Sequence, residues 1–237
     1  HGPRGEDGTV QSIFELMNIP YVSCGVTSSA LCMDKVFAKK ILQQSGLPVV
    51  EFKVYYKRDL TSRIDEIISE LESSIGYPCI VKPANLGSSE GISKAKDKEG
   101  LKSALSLAAQ YDTKILVEKF VDAREIECSV LGNDNPKASL PGEIIPSREF
   151  YDYAAKYLDG DKSKLLLPAP LTHKDTAKIQ ELAIEAFKAL DCCGMARVDF
   201  LMCKVTGNIY INELNSIPGF TKISMYPKMW EISGLSY

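Results

Sequence analysis

The sequence is poor in the residues from which several common kinds of site are built. Its 237 residues hold two histidines and one tryptophan. Two histidines are too few for a zinc centre, and no Cys-x-x-Cys pair is present to complete one. No apolar run approaches the roughly 18–20 residues of a membrane span. Neither sign of charge dominates: 28 Lys and Arg against 31 Asp and Glu leave a net charge of −3. That balance argues against a nucleic-acid or membrane-surface partner. The Walker A spacing is missing, and no Ser–His–Asp or Cys–His arrangement stands out for nucleophilic catalysis.

What is present suits a folded core. Hydrophobic residues make up 45% of the chain, enough for one or two domains. The seven cysteines are an odd number. Cys79, Cys128 and Cys203 sit in apolar runs, as reduced, buried thiols of a cytosolic protein would, and adjacent Cys192-Cys193 make a poor disulfide pair. The chain opens on His1-Gly2 with no Met and no secretory leader, and closes on a polar segment at 231–237. We therefore expect a piece of a longer chain.

Periodicity predicts a first helix begun by Asp7 or Thr9, with Val10, Ile13, Phe14 and Met17 as its apolar face. A short buried strand is expected at 20–22. One helix is expected over 30–44, capped by Thr27-Ser28-Ser29, with Lys35 as surface decoration in its first turns. Further strands are expected at 49–56, 79–83, 92–96, 114–119, 124–131 and 140–145, and helices at 64–74, 98–110, 174–190 and 223–232. Residues 147–170 lack periodicity. A structureless loop of that length is uncommon, and its aromatics (Phe150, Tyr151, Tyr153, Tyr157) argue against disorder. Its functional reading is a lid.

Two stretches carry chemistry. After the strand-end Lys82 comes Asn85-Leu86-Gly87-Ser88-Ser89-Glu90-Gly91. Backbone N–H groups and hydroxyls in such a loop can wrap a phosphate, and an ordinary hairpin turn fits as well. The second stretch is 196–219, two alternating strands about Val205-Thr206-Gly207. A register centred on Thr206 sets Lys204 opposite Asn208, Asp199 opposite Glu213 and Arg197 opposite Asn215. Directly opposed residues have Cβ atoms about 4.5–5.5 Å apart, so two carboxylates and an Asn carbonyl converge on one face. Either a hard divalent cation sits there, as Mg²⁺ does with one or two carboxylates and substrate phosphates, or the face is solvated and its charges incidental.

Eight motifs then follow in one order: His1-Gly2…Gly5-Glu6-Asp7-Gly8, Met33-Asp34-Lys35, Val81-Lys82-Pro83, Gly87-Ser88-Ser89, Arg124-Glu125-Ile126-Glu127, Phe150-Tyr151-Asp152-Tyr153…Lys156-Tyr157, Ala196-Arg197-Val198-Asp199-Phe200, and Asn212-Glu213-Leu214-Asn215…Pro218-Gly219-Phe220-Thr221. Their order closely resembles that of the D-alanine–D-alanine ligases of the ATP-grasp superfamily, over essentially the whole chain. The family's first strand–helix portion, with an early Glu, and its last helix have no counterpart here.

The resemblance implies an α+β ATP-grasp fold: two α+β lobes clamping ATP, with the remnant of an N-terminal α/β domain. The remnant would be 1–33, the central lobe 34–117 and the C-terminal lobe 118–237, with the lid at 147–170. It implies that Lys35 and Lys82 hold phosphates, that Lys156 in the lid contacts phosphate, that Glu118 and Lys119 reach adenine, and that Glu125 holds ribose. Asp199, Glu213 and Asn215 would hold Mg²⁺ or Mn²⁺, two ions, with a monovalent cation as a further candidate. Arg197 and the Gly219 N–H would stabilise a tetrahedral intermediate. Ser88 and Tyr157 would fix the lid and the first D-alanine, Ser224 and Met225 the second, with His1 and Glu6 near the substrates.

The implied activity joins two D-alanines with ATP through an acyl phosphate, for peptidoglycan precursor, in the bacterial cytoplasm. The implied partners are small molecules and a second copy in a homodimer, with no nucleic acid and no membrane. Tyr157 in the lid implies an amine rather than a hydroxy acid as second substrate. Glu90 replaces an apolar residue common in the family and is expected to be exposed; Ser216 replaces a common Thr. Another ATP-grasp carboxylate–amine ligase would share Lys82, Asp199, Glu213 and Asn215 but not the lid motif. A non-catalytic nucleotide-binding module is the other alternative, and the intact Arg197 and metal residues speak against it.

Overall fold

The computed structural model describes residues 2, 4–87, 90–146 and 164–236. Helix α1 (Thr9–Leu16) begins at Gly8, whose φ of 92° is open to glycine at little cost. Asp7 is not the cap. Its carboxylate accepts from the Arg4 and Thr9 N–H groups and closes the turn before the helix. The predicted apolar face of α1 is not core: Ile13 and Met17 are exposed, as is neighbouring Leu16 at 88%. Residues 20–22 form no strand, and Val22 is 73% exposed.

The single helix expected over 30–44 is two. Helix α2 (Val26–Met33) ends at Asp34, which leaves helical geometry with ψ 97°, and α3 (Lys35–Gln44) starts afresh. The Asp34 carboxylate accepts from the Val36 and Phe37 N–H groups and pairs with Lys114. It thus satisfies two of the donors that a helix N-terminus leaves open. The Lys35 N–H bonds the Ala84 carbonyl, so the start of α3 is pinned to the end of a strand.

That strand, β2 (Cys79–Pro83), lies in a four-stranded antiparallel sheet ordered β1-β4-β2-β3, with β1 (Phe52–Tyr56), β3 (Ser93–Ala95) and β4 (Lys114–Lys119). Helices α4 (Lys57–Ser74) and α5 (Lys98–Tyr111) pack on one face through Ile67, Ile68, Leu71, Leu101 and Leu105. Successive side chains on a strand alternate faces. Cys79, Val81, Ile115 and Val117 therefore join that core, while Ile80, Lys82, Leu116 and Glu118 face the other way.

The second sheet is antiparallel and ordered β10-β9-β5-β7-β8, with β6 paired to β5. Its strands are β5 (Ala123–Leu131), β6 (Lys137–Ala138), β7 (Gly142–Ile145), β8 (Lys164–Leu166), β9 (Met195–Cys203) and β10 (Ile209–Asn215). Strand β8 lies in the stretch expected to be structureless to 170, and pairs β7. Helix α6 (His173–Ala189) is capped by Thr172 and lays Ile179, Leu182, Ala186 and Phe187 against Ile126, Cys128, Val198 and Phe200. Helix α7 (Met225–Ile232) packs on β5, where the Ser129 and Tyr226 hydroxyls each donate to backbone carbonyls. All seven cysteines are free thiols. Cys203 is half-exposed, not buried, because it ends β9. Among the described residues no helix is long and apolar enough to cross a membrane.

Helix α3 belongs to both halves. Ala38 and Leu42 pack into the larger sheet's core, while Val36 packs on Ala84 and Leu116 of the smaller sheet. Its placement hangs on Asp34. Replacing Asp34 by Ala is expected to cost about 1–2 kcal/mol for the cap alone. Asp34→Asn, which keeps an acceptor, costs less. Equal urea midpoints for wild type and the Ala variant would contradict the capping role.

Candidate active site

The polar faces of the two sheets enclose a cavity of about 800 Å³, lined among others by Lys35, Lys82, Glu118, Arg197, Asp199 and Glu213. Strand alternation puts all of them there except Lys35, which helix α3 carries. Each of these strands gives its apolar side to a helix-covered core and its charged side to the space between the sheets.

One wall is cationic. Lys35, the first residue of α3, is 8% exposed rather than a surface lysine. Its Nζ donates to the Leu86 carbonyl and lies 3.9 Å from Glu213 Oε2. Lys82 Nζ is 2.5 Å from Glu118 Oε2 and donates to Asn212 Oδ1 at 3.2 Å. Glu118 Oε1 is 2.6 Å from Nζ of Lys39, one turn beyond Lys35 on α3, in an ion pair. Burial alone would raise the Glu118 carboxyl, but Lys39 and Lys82 outweigh it and hold the group down at about 2. Burial likewise opposes charge on Lys82, yet Glu118 tips it above its ordinary value. Lys35 goes the other way: burial lowers its ammonium more than Glu213 restores it.

The opposite wall is the β9–β10 hairpin. Asp199 is opposite Glu213 and Arg197 opposite Asn215, as predicted. The predicted register nevertheless fails at the turn. Ile209, Tyr210 and Ile211 pair with Met202, Leu201 and Phe200, one residue off, and a bulge between Ile211 and Glu213 restores the pairing. The extra residue is Asn212, whose side chain meets Lys82. Bulges recur beside sites because they re-aim side chains.

On its other edge β9 pairs with β5, which sets Glu127 opposite Asp199. Three carboxylates therefore stand in a row across three strands, with Arg197 among them. Arg197 donates two bonds to Asp199, Nε–Oδ1 at 2.6 Å and Nη2–Oδ2 at 2.7 Å, and its Nε is 3.2 Å from Glu127 Oε2. Burial disfavours the guanidinium charge, but Asp199 and Glu127 more than reverse that. Asn215 Nδ2 also donates to Asp199 Oδ2.

Of the other expected site residues, Lys119 and Glu125 line the cavity. Glu6 lies beside Gly87 of the cavity wall, accepting from the Gly2 N–H, while burial, with Glu213 adding to it, raises its carboxyl. Leu86 and Gly87 line the cavity at the start of the β2–β3 connection, so the loop is both a hairpin connection and a cavity wall. Glu90 is half-buried rather than exposed. Gly219 lies half-buried beyond β10. Ser224 precedes α7, its hydroxyl accepting from the Thr221 N–H. The Met225 side chain is buried, its methyl close over Gly142. His1, Ser88, Lys156, Tyr157 and lid residues 147–163 lie outside the described residues. Sequence reading gave no role to Lys39, Asn212 or Glu127; Asn212 and Glu127 lie within the quoted motifs, and Glu127 is also in phase with Glu125 on β5.

Asp199, Glu213 and Asn215 supply hard oxygen donors. Among the described residues no group of three or more His, Cys, Asp or Glu is placed to hold a metal. Two carboxylates and an amide fit Mg²⁺, which takes one or two carboxylates and fills its remaining positions from phosphates and water. Across the cavity Lys35 and Lys82 offer the positive charge such an anion needs.

The buried Glu118 links stability to pH. Its folded value lies below the ordinary 4.5, so the unfolded chain binds the proton first as pH falls. The stabilisation is present above about pH 4.5 and is lost toward pH 2, on the order of 3 kcal/mol. Denaturant titrations at several pH values should show this slope in wild type and a flatter one in Glu118→Gln. Equal slopes would remove Glu118 from the acid transition.

A family model of the D-ala D-ala ligase C-terminus matches residues 41–237. The D-alanine–D-alanine ligase of Thermoanaerobacter sp. strain X514 is 60% identical over 237 residues, covering 100% of this chain and 66% of that protein. That of Ruminiclostridium cellulolyticum is 54% identical over 238 residues, covering 100% and 63%. The chain thus spans just under two thirds of the length of these curated relatives. Among solved structures, the D-alanine-D-alanine ligase from Coxiella burnetii superposes with a TM-score of 0.85 at 42% identity, covering 100% of this chain and 62% of that one. VanG D-Ala:D-Ser ligase from Enterococcus faecalis superposes with a TM-score of 0.90 at 41% identity, covering 100% and 67%. With the ATP-grasp fold of these ligases and the family model matched along most of its length, the chain belongs to the D-ala D-ala ligase C-terminus family.

Proposed function

We propose that this chain carries the ATP site and the acyl-transfer groups of a D-alanine–D-alanine ligase that supplies peptidoglycan precursor in the bacterial cytoplasm. The observation that carries the reading is the cavity itself: Lys35 and Lys82 face Asp199, Glu213 and Arg197 across one space. The two sheets, with their helices, then act as the lobes on either side of ATP. The lobes are taken as 34–117 and 118–237, with 1–33 as the end of an N-terminal domain and 147–170 as the lid. The active form is a homodimer.

The chemistry suits these residue types. A carboxylate is a poor electrophile. An oxygen of the first D-alanine carboxylate attacks the γ-phosphorus of ATP, the bond to ADP breaks, and an acyl phosphate forms. The amine of the second D-alanine attacks its carbonyl carbon, the carbon–nitrogen bond forms, phosphate leaves and the amine gives up its proton. Lys35 and Lys82, with Lys156 from the lid, hold phosphate oxygens. Lys119 and Glu118 bound the adenine end, and Glu125 takes ribose hydroxyls. Arg197 and the Gly219 N–H stabilise the tetrahedral oxyanion by preorganised charge. When bound by Asp199, Glu213 and Asn215, Mg²⁺ or Mn²⁺ neutralises charge on the transferring phosphoryl group. Ser88 and Tyr157 hold the first D-alanine under the lid, which excludes water from the acyl phosphate. Ser224 and the start of α7 receive the second D-alanine, and His1 and Glu6 border the substrates.

Full-length protein should release phosphate from ATP and Mg²⁺ only when D-alanine is added. ATP binding without turnover would indicate a non-catalytic module, and turnover with another amino acid a different ligase. D-serine is included because VanG, a D-Ala:D-Ser ligase by name, is as similar as the D-alanine enzyme structure. Glu213→Ala should lower turnover by roughly 100-fold or more; normal activity would sink the metal assignment. With D-alanine and D-lactate together at neutral pH, dipeptide should outpace depsipeptide. The reverse order would refute the inference from Tyr157.

A further inference from the structure

Lys39 is 1% exposed and does not line the cavity, so it cannot touch a ligand there. It is nonetheless tied to a residue that can. Glu118 gives one oxygen to Lys39, at 2.6 Å, and the other to Lys82, at 2.5 Å. The Lys82 ammonium also donates to the neutral Asn212 amide oxygen, and Glu213 and Glu125 act on it at longer range. One carboxylate is thus divided between two ammonium groups, and the trio keeps a net charge of +1. A lysine is almost never fully buried unless paired. Removing it would free both Glu118 oxygens to close on Lys82, neutralising that ammonium and drawing it back toward β4.

We propose that Lys39 is a positioning residue for nucleotide binding: by holding one oxygen of Glu118, it keeps the Lys82 ammonium half-neutralised and presented to the cavity. The proposal rests on the reading of the cavity as an ATP site. It also gives α3 a second role, since the helix that carries Lys35 sets the charge on Lys82 from behind.

The test uses full-length protein and a non-hydrolysable ATP analogue with Mg²⁺. Lys39→Met should weaken analogue binding and raise KM for ATP by roughly 10–100-fold, the scale seen when an outer partner of a metal ligand is lost. KM for D-alanine and kcat should stay within about twofold. Lys39→Arg should restore ATP affinity. A purely structural role for Lys39 predicts a lower unfolding midpoint with unchanged ATP affinity in the folded Lys39→Met protein, and that result overturns the proposal. Should Lys39→Met not fold, Lys39→Gln decides: it keeps a polar side chain but removes the positive charge, so it too leaves Glu118 to neutralise Lys82, and unchanged analogue affinity in that folded variant is equally fatal. Wild type that binds no analogue overturns the ATP reading and this proposal together. Wild-type binding matched by Lys39→Met overturns this proposal alone.

Discussion

The Glu118 carboxylate between Lys39 and Lys82 is what allows the two sheets to turn charged faces toward each other. Taking an ion out of water costs several kcal/mol even after the protein relaxes, and mutual attraction offsets that only with good geometry. Here three charged groups from α3, β2 and β4 meet at 2.5 and 2.6 Å, almost wholly shielded from solvent. A hydrophobic trio of equal volume would serve stability as well or better. It would not leave positive charge at the wall of a cavity. The arrangement is best understood as stability given up for a fixed electrostatic surface, in a region where low dielectric makes each charge count.

The facing wall solves the same problem with the opposite sign. Glu127, Asp199 and Glu213 lie on neighbouring strands, and like charges set directly opposite repel. Arg197 is inserted among them and bonds Asp199 through two nitrogens, a fork geometry that lysine lacks. The hairpin is therefore not a pair of carboxylates waiting to be neutralised. Asp199 is already compensated, and a cation entering here competes with the guanidinium or releases it toward substrate. In the roles proposed above, the oxyanion-stabilising Arg197 and the metal-holding Asp199 are one ion pair, so the two proposed sites would be coupled through Asp199.

Much of this was legible in the sequence, for a definite reason. Apart from Lys35 on α3, both walls are built from strands, and a period of two fixes which residues share a face whatever the tertiary context. That is why Arg197 with Asp199, and Glu213 with Asn215, are each expected on one face of their strand from spacing alone. The errors have equally definite causes. Symmetry about Thr206 misplaced the turn by one residue, and the bulge at Asn212 cancelled the error, because a bulge between Ile211 and Glu213 needs no Gly or Pro to announce it. Asp34 broke a predicted helix in two, because its capping competes with a continuous apolar pattern. Lys39 was invisible, since a lysine one turn after Lys35 on an amphipathic helix reads as solvated surface. The apolar stripe of α1 shows the converse: periodicity identifies a face but not what covers it.

Helix α3 spans the seam between the two sheets and belongs to neither alone. Drawn along the chain, a boundary at Asp34 assigns α3 to the half containing the four-stranded sheet. Packing gives much of it to the other half, through Ala38 and Leu42, and leaves Val36 on Ala84 and Leu116. Between these apolar contacts the same helix directs Lys35 toward Leu86 and Glu213, and Lys39 toward Glu118. One rigid element thus touches the hairpin wall, the connection after β2 and the buried carboxylate of β4. Its N-terminus is fixed to the smaller sheet by the Asp34 cap and the Lys35–Ala84 backbone bond. Any opening of one sheet relative to the other has to break either the apolar grip of α3 on the larger core or these polar ties to the smaller one.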